Sequence, residues 1–133
     1  MTFPIIEREA MRVAYTASIG DPSTSDAFRR LEQMVPLRGN RFFATFDSLT
    51  REYRACVALK PGQTGADYGL PEGVLAGGKY ARAKLVGAFA DIVTKIAPTF
   101  IEMRREHGRD PTRLPIEYYK RSSEIMLYLP VSA

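Results

Sequence analysis

Alternating hydrophobic and polar positions predict three strands in the first half of the chain. The first covers residues 4–17, with an irregularity at residues 7–10 where charged side chains interrupt the alternation. The other two cover residues 41–47, which are rich in phenylalanine, and residues 53–59, where Tyr53 shares one face with every second residue. The short polar stretch between these two strands predicts a hairpin.

Apolar residues at helical spacing, including Phe28 and Leu31, predict a helix between the first strand and this hairpin. Ser23 is the predicted N-cap, because Asp26 follows three residues later as in a capping box. Pro36 ends the helix. The first half therefore has the predicted order strand, helix, strand, strand.

A loop over residues 61–73, rich in glycine and proline, separates the first half from the second. Loops of this length are often functional, so this one is expected to form a wall of a cleft. The next strand covers residues 74–85 and contains Gly77 and Gly78. Paired glycines inside a strand indicate a bulge or a close approach of other atoms to the backbone.

The second half repeats the predicted order of the first. A helix covers residues 87–107, and Pro98 is expected to kink it near Thr94. A closing hairpin follows, with strands over residues 116–121 and 124–131.

These elements predict one α+β domain over residues 1–133, built from a duplicated β-α-β-β unit with halves at about residues 1–60 and 74–133. Each helix has one apolar stripe. We therefore expect both helices to pack on one face of an antiparallel sheet, and we expect a ligand cleft on the other face.

Composition excludes several classes of site. The chain has one cysteine, Cys56, and one histidine, His107, so a disulfide, a zinc site and a Ser-His-Asp triad are not expected. No cofactor is predicted. The net charge of +4 is small and the basic residues are scattered, so direct nucleic-acid binding is not expected.

The N-terminal region has no signal-peptide pattern, and no apolar run is long enough to span a membrane. The expected location is therefore the cytoplasm, with no membrane partner.

Glu117 is the main candidate for chemistry. Alternation places Ile116 and Tyr118 on one face of their strand and Glu117 and Tyr119 on the other. If Ile116 faces the helices, Glu117 points out from the open face. The alternative is a solvated glutamate that pairs with a basic side chain, and the candidate partners are Lys120, Arg121 and Arg54.

The chain contains seven tyrosines and no tryptophan. Several tyrosine rings around one carboxylate would suit a lipophilic cation, through cation–π contact and direct ion pairing. The alternative is that most of the rings fill the core or edge the sheet. The tyrosines on or beside predicted strands or in the long loop are Tyr53, Tyr68, Tyr80, Tyr118, Tyr119 and Tyr128.

The order of several short motifs resembles the GyrI-like family, which includes the effector-binding domains of AraC-type and MerR-type multidrug transcription regulators. The family pattern is approximately Gly-x-Tyr, a glycine before a long helix, Glu-x-Tyr, and a strand that ends in a Pro-Val pair. The matching residues are Gly78-Lys79-Tyr80, Gly87, Glu117-Tyr118-Tyr119 and Ile125 to Val131.

The resemblance implies a cleft between the two halves in which lipophilic, often cationic, molecules bind. It implies that Glu117 contacts the cation and that Tyr53 and Phe89 line the cleft. Tyr119 and Tyr68 complete the predicted ligand-binding residues. The family often has a large aromatic residue late in the second helix, whereas this chain has Ile-Glu-Met-Arg at residues 101–104.

Three functions follow as hypotheses. The first is sensing or sequestration of a small lipophilic cation. The second, implied by a catalytic branch of the family, is hydrolysis of cyclopropane-type genotoxic electrophiles, with Glu117 as the catalytic residue beside Tyr53 or Tyr119. The third is binding to a protein such as DNA gyrase or a regulator. Because no DNA-binding domain is recognised, we expect a stand-alone member that would act beside a regulator.

Overall fold

The computed structural model describes residues 2–132, which form an α+β protein with antiparallel strands. The strands are β1 (Ile5–Arg8), β2 (Met11–Ile19), β3 (Phe42–Asp47), β4 (Glu52–Ala58), β5 (Glu72–Leu75), β6 (Gly78–Val86), β7 (Ile116–Arg121) and β8 (Glu124–Pro130). The helices are α1 (Ala27–Met34), α2 (Phe89–Val93) and α3 (Ile96–His107).

Contacts divide the chain into two units, each with a four-stranded antiparallel sheet. The first unit comprises residues 10–75, and its strand order is β3-β4-β2-β5. The second unit comprises residues 2–9 and 76–132, and its strand order is β1-β6-β8-β7. These boundaries differ from the predicted halves at residues 1–60 and 74–133. Whether the two units are repeats of one another stays a prediction.

In the first unit, α1 packs against β2 and β4. Leu31 of this helix is fully buried. Thr16 on β2 faces the helix, because its hydroxyl donates to the carbonyl oxygen of Ala27 at 2.7 Å. Tyr53 on β4 lies on the same face, since it pairs in register with Ser18, two residues after Thr16.

In the second unit, α2 and α3 pack on one face of the sheet. The buried core on this helix-facing side is apolar and comes from strands, helices and the chain end. Its members are Phe3, Ala81, Ala83, Ile92, Met103, Ile125, Leu127, Leu129 and Val131.

The opposite, helix-free side of each sheet carries stacks of arginine on tyrosine. In the first unit, Arg54 lies 4.0 Å from the ring centre of Tyr15. In the second unit, the guanidinium of Arg113 lies 4.8 Å from the ring centre of Tyr80, which is fully buried. Cation–π contacts of this kind cover apolar rings with a charged group that keeps its hydration partly intact.

Arg113 also explains the glycine pair. Gly78 has a φ of 130°, and a Cβ atom there would lie 2.6 Å from Arg113 Nη1. The guanidinium donates to the carbonyl oxygens of Gly77 and Val131. The predicted close approach to the backbone at these glycines is therefore confirmed.

Two predicted strands each divide in the structure. The strand over residues 4–17 becomes β1 and β2, and the strand over residues 74–85 becomes β5 and β6. In both cases the two pieces pair with different strands. β1 pairs with β6, whereas β2 pairs with β4 and β5. Likewise, β5 pairs with β2, whereas β6 pairs with β1 and β8. Only the irregularity at residues 7–10 indicated the first break.

The predicted helix over residues 87–107 is broken into α2 and α3 between Val93 and Ile96. Pro98 has no N–H to donate to the carbonyl of Thr94, so the position of the break agrees with the prediction. Among residues 2–132, none of the helices combines the length and the hydropathy needed to cross a membrane. A cytoplasmic location stays a prediction.

The predicted N-cap at Ser23 is wrong. Ser23 lies inside a short 3-10 helix, Pro22–Thr24, and its backbone N–H donates to Asp21 Oδ1 at 2.9 Å. The α1 helix begins later, at Ala27, whose N–H donates to Ser25 Oγ at 3.1 Å.

Candidate functional site

Glu117 lies on the helix-facing side of the second sheet. Its Cα partner in the register is Leu127 of β8, and directly paired residues point to the same face. Leu127 belongs to the core that α2 and α3 cover. The prediction that Glu117 points out from the open face is therefore wrong.

The direction of Glu117 was predicted wrongly because both faces of β7 are at least partly buried. Ile116 is almost fully buried, yet it lies on the helix-free side opposite Glu117. Alternation separates the two faces of a strand, but it does not tell which face the helices will cover.

The carboxyl group of Glu117 has one hydrogen-bond partner in the described part of the chain. Tyr119, two residues along the same face of β7, donates its hydroxyl to Glu117 Oε1 at 2.5 Å. Burial raises the pKa of Glu117 to about 7, while the hydrogen bond from Tyr119 acts in the opposite direction. Glu117 is only partly buried, so its carboxyl group is shielded from water but a ligand can still reach it.

The basic residues proposed as alternative partners of Glu117 are engaged elsewhere. Lys120 and Arg121 lie 3.5 and 3.9 Å from the carboxylate of Glu124. Arg54 pairs with Glu52 at 2.9 Å. Within residues 2–132, Glu117 forms no ion pair, so it is not the solvated, salt-bridged glutamate of the alternative.

Tyr119, whose hydroxyl binds Glu117, also packs against Phe89 of α2. The two ring centres lie 6.3 Å apart, at an interplanar angle of 42°. Tyr119 also packs against the apolar core, whereas Phe89 is 47% exposed. The structure thus brings together three predicted site residues of the second unit: Glu117, Tyr119 and Phe89.

Tyr53 and Tyr68, the other two predicted ligand contacts, belong to the first unit. Tyr53 is 8% exposed, and its ring centre lies 6.3 Å from that of Phe28 on α1. Tyr68 ends the 3-10 helix Gly65–Tyr68, and its hydroxyl accepts a hydrogen bond from Gln63 Nε2 at 2.7 Å. Roles for these two rings in ligand binding stay predictions.

Cys56 and His107 both contact other parts of the protein rather than forming a reactive site. Cys56 is buried, and burial raises the pKa of its thiol to about 12, so it is a poor nucleophile. His107 Nε2 lies 2.8 Å from Glu106 Oε2 and 2.9 Å from the carbonyl oxygen of Phe3. In the described part of the chain, no three His, Cys, Asp or Glu side chains could hold a metal ion together.

A second feature is a cavity of about 460 Å³ in the first unit. The glycine- and proline-rich loop over residues 61–73 was expected to form a wall of a cleft, and residues 69–71 of this loop line the cavity. The contributions of β2 and α1 were not predicted, because they depend on how these elements pack together. The lining residues of the cavity are Tyr15, Thr16, Ala17, Arg30, Gln33, Met34, Gly69, Leu70 and Pro71.

Comparisons with known proteins find similarity at the level of structure alone. No protein-family model and no curated protein matches the chain. The integron cassette protein VCH_CASS2 of Vibrio cholerae has a TM-score of 0.72 at 14% identity, covering 98% of this chain and 95% of that one.

Two further solved structures have the same fold. SAV2435, which was crystallised bound to tetraphenylphosphonium, has a TM-score of 0.65 at 12% identity, covering 100% of this chain and 95% of that one. A hydrolase from Listeria innocua has a TM-score of 0.55 at 16% identity, covering 97% of this chain and 90% of that one. Identities this low show a shared fold and no shared activity.

Proposed function

We propose that this chain is a GyrI-like domain that binds small lipophilic cations at Glu117, for sensing or sequestration. The observation that supports the proposal is a partly buried carboxyl group without a basic partner among residues 2–132, hydrogen-bonded to Tyr119, whose ring packs against Phe89. A structural glutamate is normally either exposed to solvent or neutralised by a cation of the protein itself.

The energetics favour a ligand that supplies the missing charge. Burial disfavours the ionised form of Glu117, so near pH 7 its carboxyl group is about half protonated in the ligand-free protein. A bound cation would stabilise the ionised form, and their attraction strengthens as water leaves the site. The rings of Phe89 and Tyr119 can add cation–π attraction and apolar contact.

One structural neighbour supports this choice of ligand. SAV2435 has the same fold and binds tetraphenylphosphonium, a cation with an apolar surface. Such a cation offers no N–H donors, so it needs a negative charge and aromatic contact rather than directed hydrogen bonds. Glu117 with Tyr119 and Phe89 offers both.

The test is calorimetric titration with tetraphenylphosphonium and with the neutral triphenylphosphine oxide. We expect Glu117→Gln to weaken cation binding about 30-fold or more, because it removes the charge that pairs with the ligand. Binding of the neutral compound should change by less than about threefold. Glu102→Gln is the matched control, since it removes the same charge from an exposed position on α3. Equal losses for both compounds would contradict the proposal.

Hydrolysis is the second candidate, favoured by the same pair of side chains. A carboxyl group with a pKa of about 7 suits general acid–base catalysis at neutral pH, and the Tyr119 hydroxyl lies beside it. Turnover of a cyclopropane-containing electrophile, lost in Glu117→Gln, would support it. Binding of the same compound without turnover would exclude it. Binding to DNA gyrase or a regulator stays a separate prediction.

A further inference from the structure

The outer edge of β2 is only partly covered by a neighbouring strand. The strand has nine residues, but β5 pairs with four of them, Met11 to Ala14. The other edge of β2 pairs with β4 along the range from Val13 to Ile19. Among residues 2–132, no strand pairs with the outer edge of β2 after Ala14.

The direction of the backbone groups along this edge follows from two hydrogen bonds. The carbonyl oxygen of Arg12 accepts from Leu59 N on the β4 side, and Tyr15 N donates to the oxygen of Pro71 on the other side. Because neighbouring residues of a strand alternate, the odd-numbered residues of β2 direct their N–H and C=O groups away from β4. The N–H groups of Ala17 and Ile19 therefore point outward, with no strand to accept them.

The cavity lies along this free edge. Arg30 and Met34 of α1 form one wall, and residues 69–71 form the other. The Arg30 guanidinium donates to the carbonyl oxygen of Ala17 at 2.6 Å and to Asp26 Oδ1 at 3.0 Å, yet its side chain keeps 41% exposure. The edge thus combines backbone donors, a largely apolar recess and a partly exposed guanidinium, which a peptide carboxylate would share with Asp26.

The outward N–H groups decide between three kinds of occupant. The cavity has room for a small molecule, but a compact ligand does not offer carbonyl acceptors at strand spacing to Ala17 and Ile19. A second copy of this chain would bring an equally recessed β2 edge, so the two depressions would leave a gap. An extended peptide protrudes, supplies carbonyl acceptors at strand spacing, and can place one side chain in the recess.

We infer that the free edge of β2 binds an extended peptide segment by strand addition, with an apolar side chain beside Met34 and Leu70 and an acidic residue at Arg30. The peptide backbone accepts from the N–H groups of Ala17 and Ile19. Main-chain hydrogen bonds supply affinity in this mode of recognition, and the recess and the guanidinium supply specificity.

The experiment selects random peptides of strand length, about six residues, displayed on phage against the full chain. Enriched peptides are then synthesised and added to ¹⁵N-labelled protein. We expect them to combine an apolar and an acidic residue and to slow hydrogen exchange at the amides of Ala17 and Ile19.

Two variants test the contacts separately. Ala17→Pro removes the outward N–H without removing a bond to β4, and we expect about tenfold weaker peptide binding. Arg30→Gln should also weaken binding about tenfold, while Arg29→Gln, which removes the same charge outside the cavity, should change it by less than about twofold. Thermal midpoints check that each variant folds, and the exchange map on the unchanged protein needs no variant.

Four outcomes would overturn the inference. One is the absence of any enriched peptide. Another is peptide binding that protects amides outside β2. A third is Ala17→Pro that folds and binds as tightly as the unchanged protein. The last is protection of Ala17 that grows with protein concentration in the absence of peptide, which would show that a second copy covers the edge.

Discussion

Each unit has a polar side chain on the helix-facing side of its sheet, and the two side chains differ in their hydrogen-bond partners. In the first unit, Thr16 is 6% exposed and its hydroxyl donates to the backbone of α1 at Ala27. In the second unit, Glu117 accepts one hydrogen bond from Tyr119, and burial raises its pKa to about 7. The first group is neutral at every pH, whereas the second changes its charge near neutrality.

This difference distinguishes a polar group that stabilises the fold from one that is suited to bind a ligand. The hydroxyl of Thr16 stabilises the native state because its partner is part of the same unit. The carboxyl group of Glu117 destabilises the native state when it ionises, because the described residues offer it no cation. A ligand that carries the missing charge removes that cost.

The largest expected effect concerns stability. Because the pKa of Glu117 is raised from 4.5 to about 7, the stability of the protonated form is fully present below about pH 4.5 and is lost as the pH rises to about 7. Glu117→Gln, which stays neutral, should therefore raise the free energy of unfolding at pH 8 by about 1–3 kcal/mol. At pH 4 it should change little. Urea denaturation at the two pH values measures this, and a destabilised variant at pH 8 would contradict it.

Thr16→Val tests the other half of the comparison. The change keeps the shape of the side chain but removes the donor to the Ala27 carbonyl oxygen. We expect the free energy of unfolding to fall by about 1–2 kcal/mol, because a buried acceptor loses its partner. The loss should be the same at pH 5 and pH 8. A loss that depends on pH would show that the two units do not differ in the way described.

Cation binding at Glu117 is expected to depend on pH. Only the ionised carboxylate of Glu117 attracts a cation, and its pKa is about 7 in the ligand-free protein. The affinity for tetraphenylphosphonium should therefore rise about tenfold between pH 6 and pH 8. Glu117→Gln is the control, and its residual binding should not vary with pH. A flat profile for the unchanged protein would mean that Glu117 is already ionised at pH 6.

The smallest expected effect comes from the neighbouring ring. Tyr119→Phe removes the hydrogen bond that favours the ionised carboxylate, so less of Glu117 is ionised at pH 7. Cation binding at that pH should weaken by about 0.5–1.5 kcal/mol. Tyr118→Phe is the matched control, because Tyr118 lies on the opposite face of the same strand. Equal effects of both changes would contradict a direct role for the Tyr119 hydroxyl.

Much of the fold follows from local pattern. The hairpins β3-β4 and β7-β8 and the break of the last helix near Thr94 were predictable from alternation and from Pro98. The division of two predicted strands was not, because it depends on which strands the pieces pair with across long sequence separations. The predicted cap at Ser23 failed because Ser23 lies inside the 3-10 helix Pro22–Thr24, which Asp21 caps, and α1 begins only at Ala27.

The site was predictable in part. Alternation correctly put Glu117 and Tyr119 on one face of β7, two residues apart. Alternation does not identify that face, because the apolar Ile116 is also buried although it lies on the helix-free side. The approach of Phe89 to Tyr119 depends on how α2 packs on the sheet, which no local motif specifies.

The proposed cation site is tested most simply by the pKa of Glu117, measured from its side-chain carboxyl ¹³C signal in an NMR titration with and without tetraphenylphosphonium. We expect a pKa of about 7 in the ligand-free protein and a clear decrease when the cation is bound. A pKa near the ordinary value of 4.5, unchanged by the cation, would contradict the proposal that Glu117 is a partly buried acid that binds a cationic ligand.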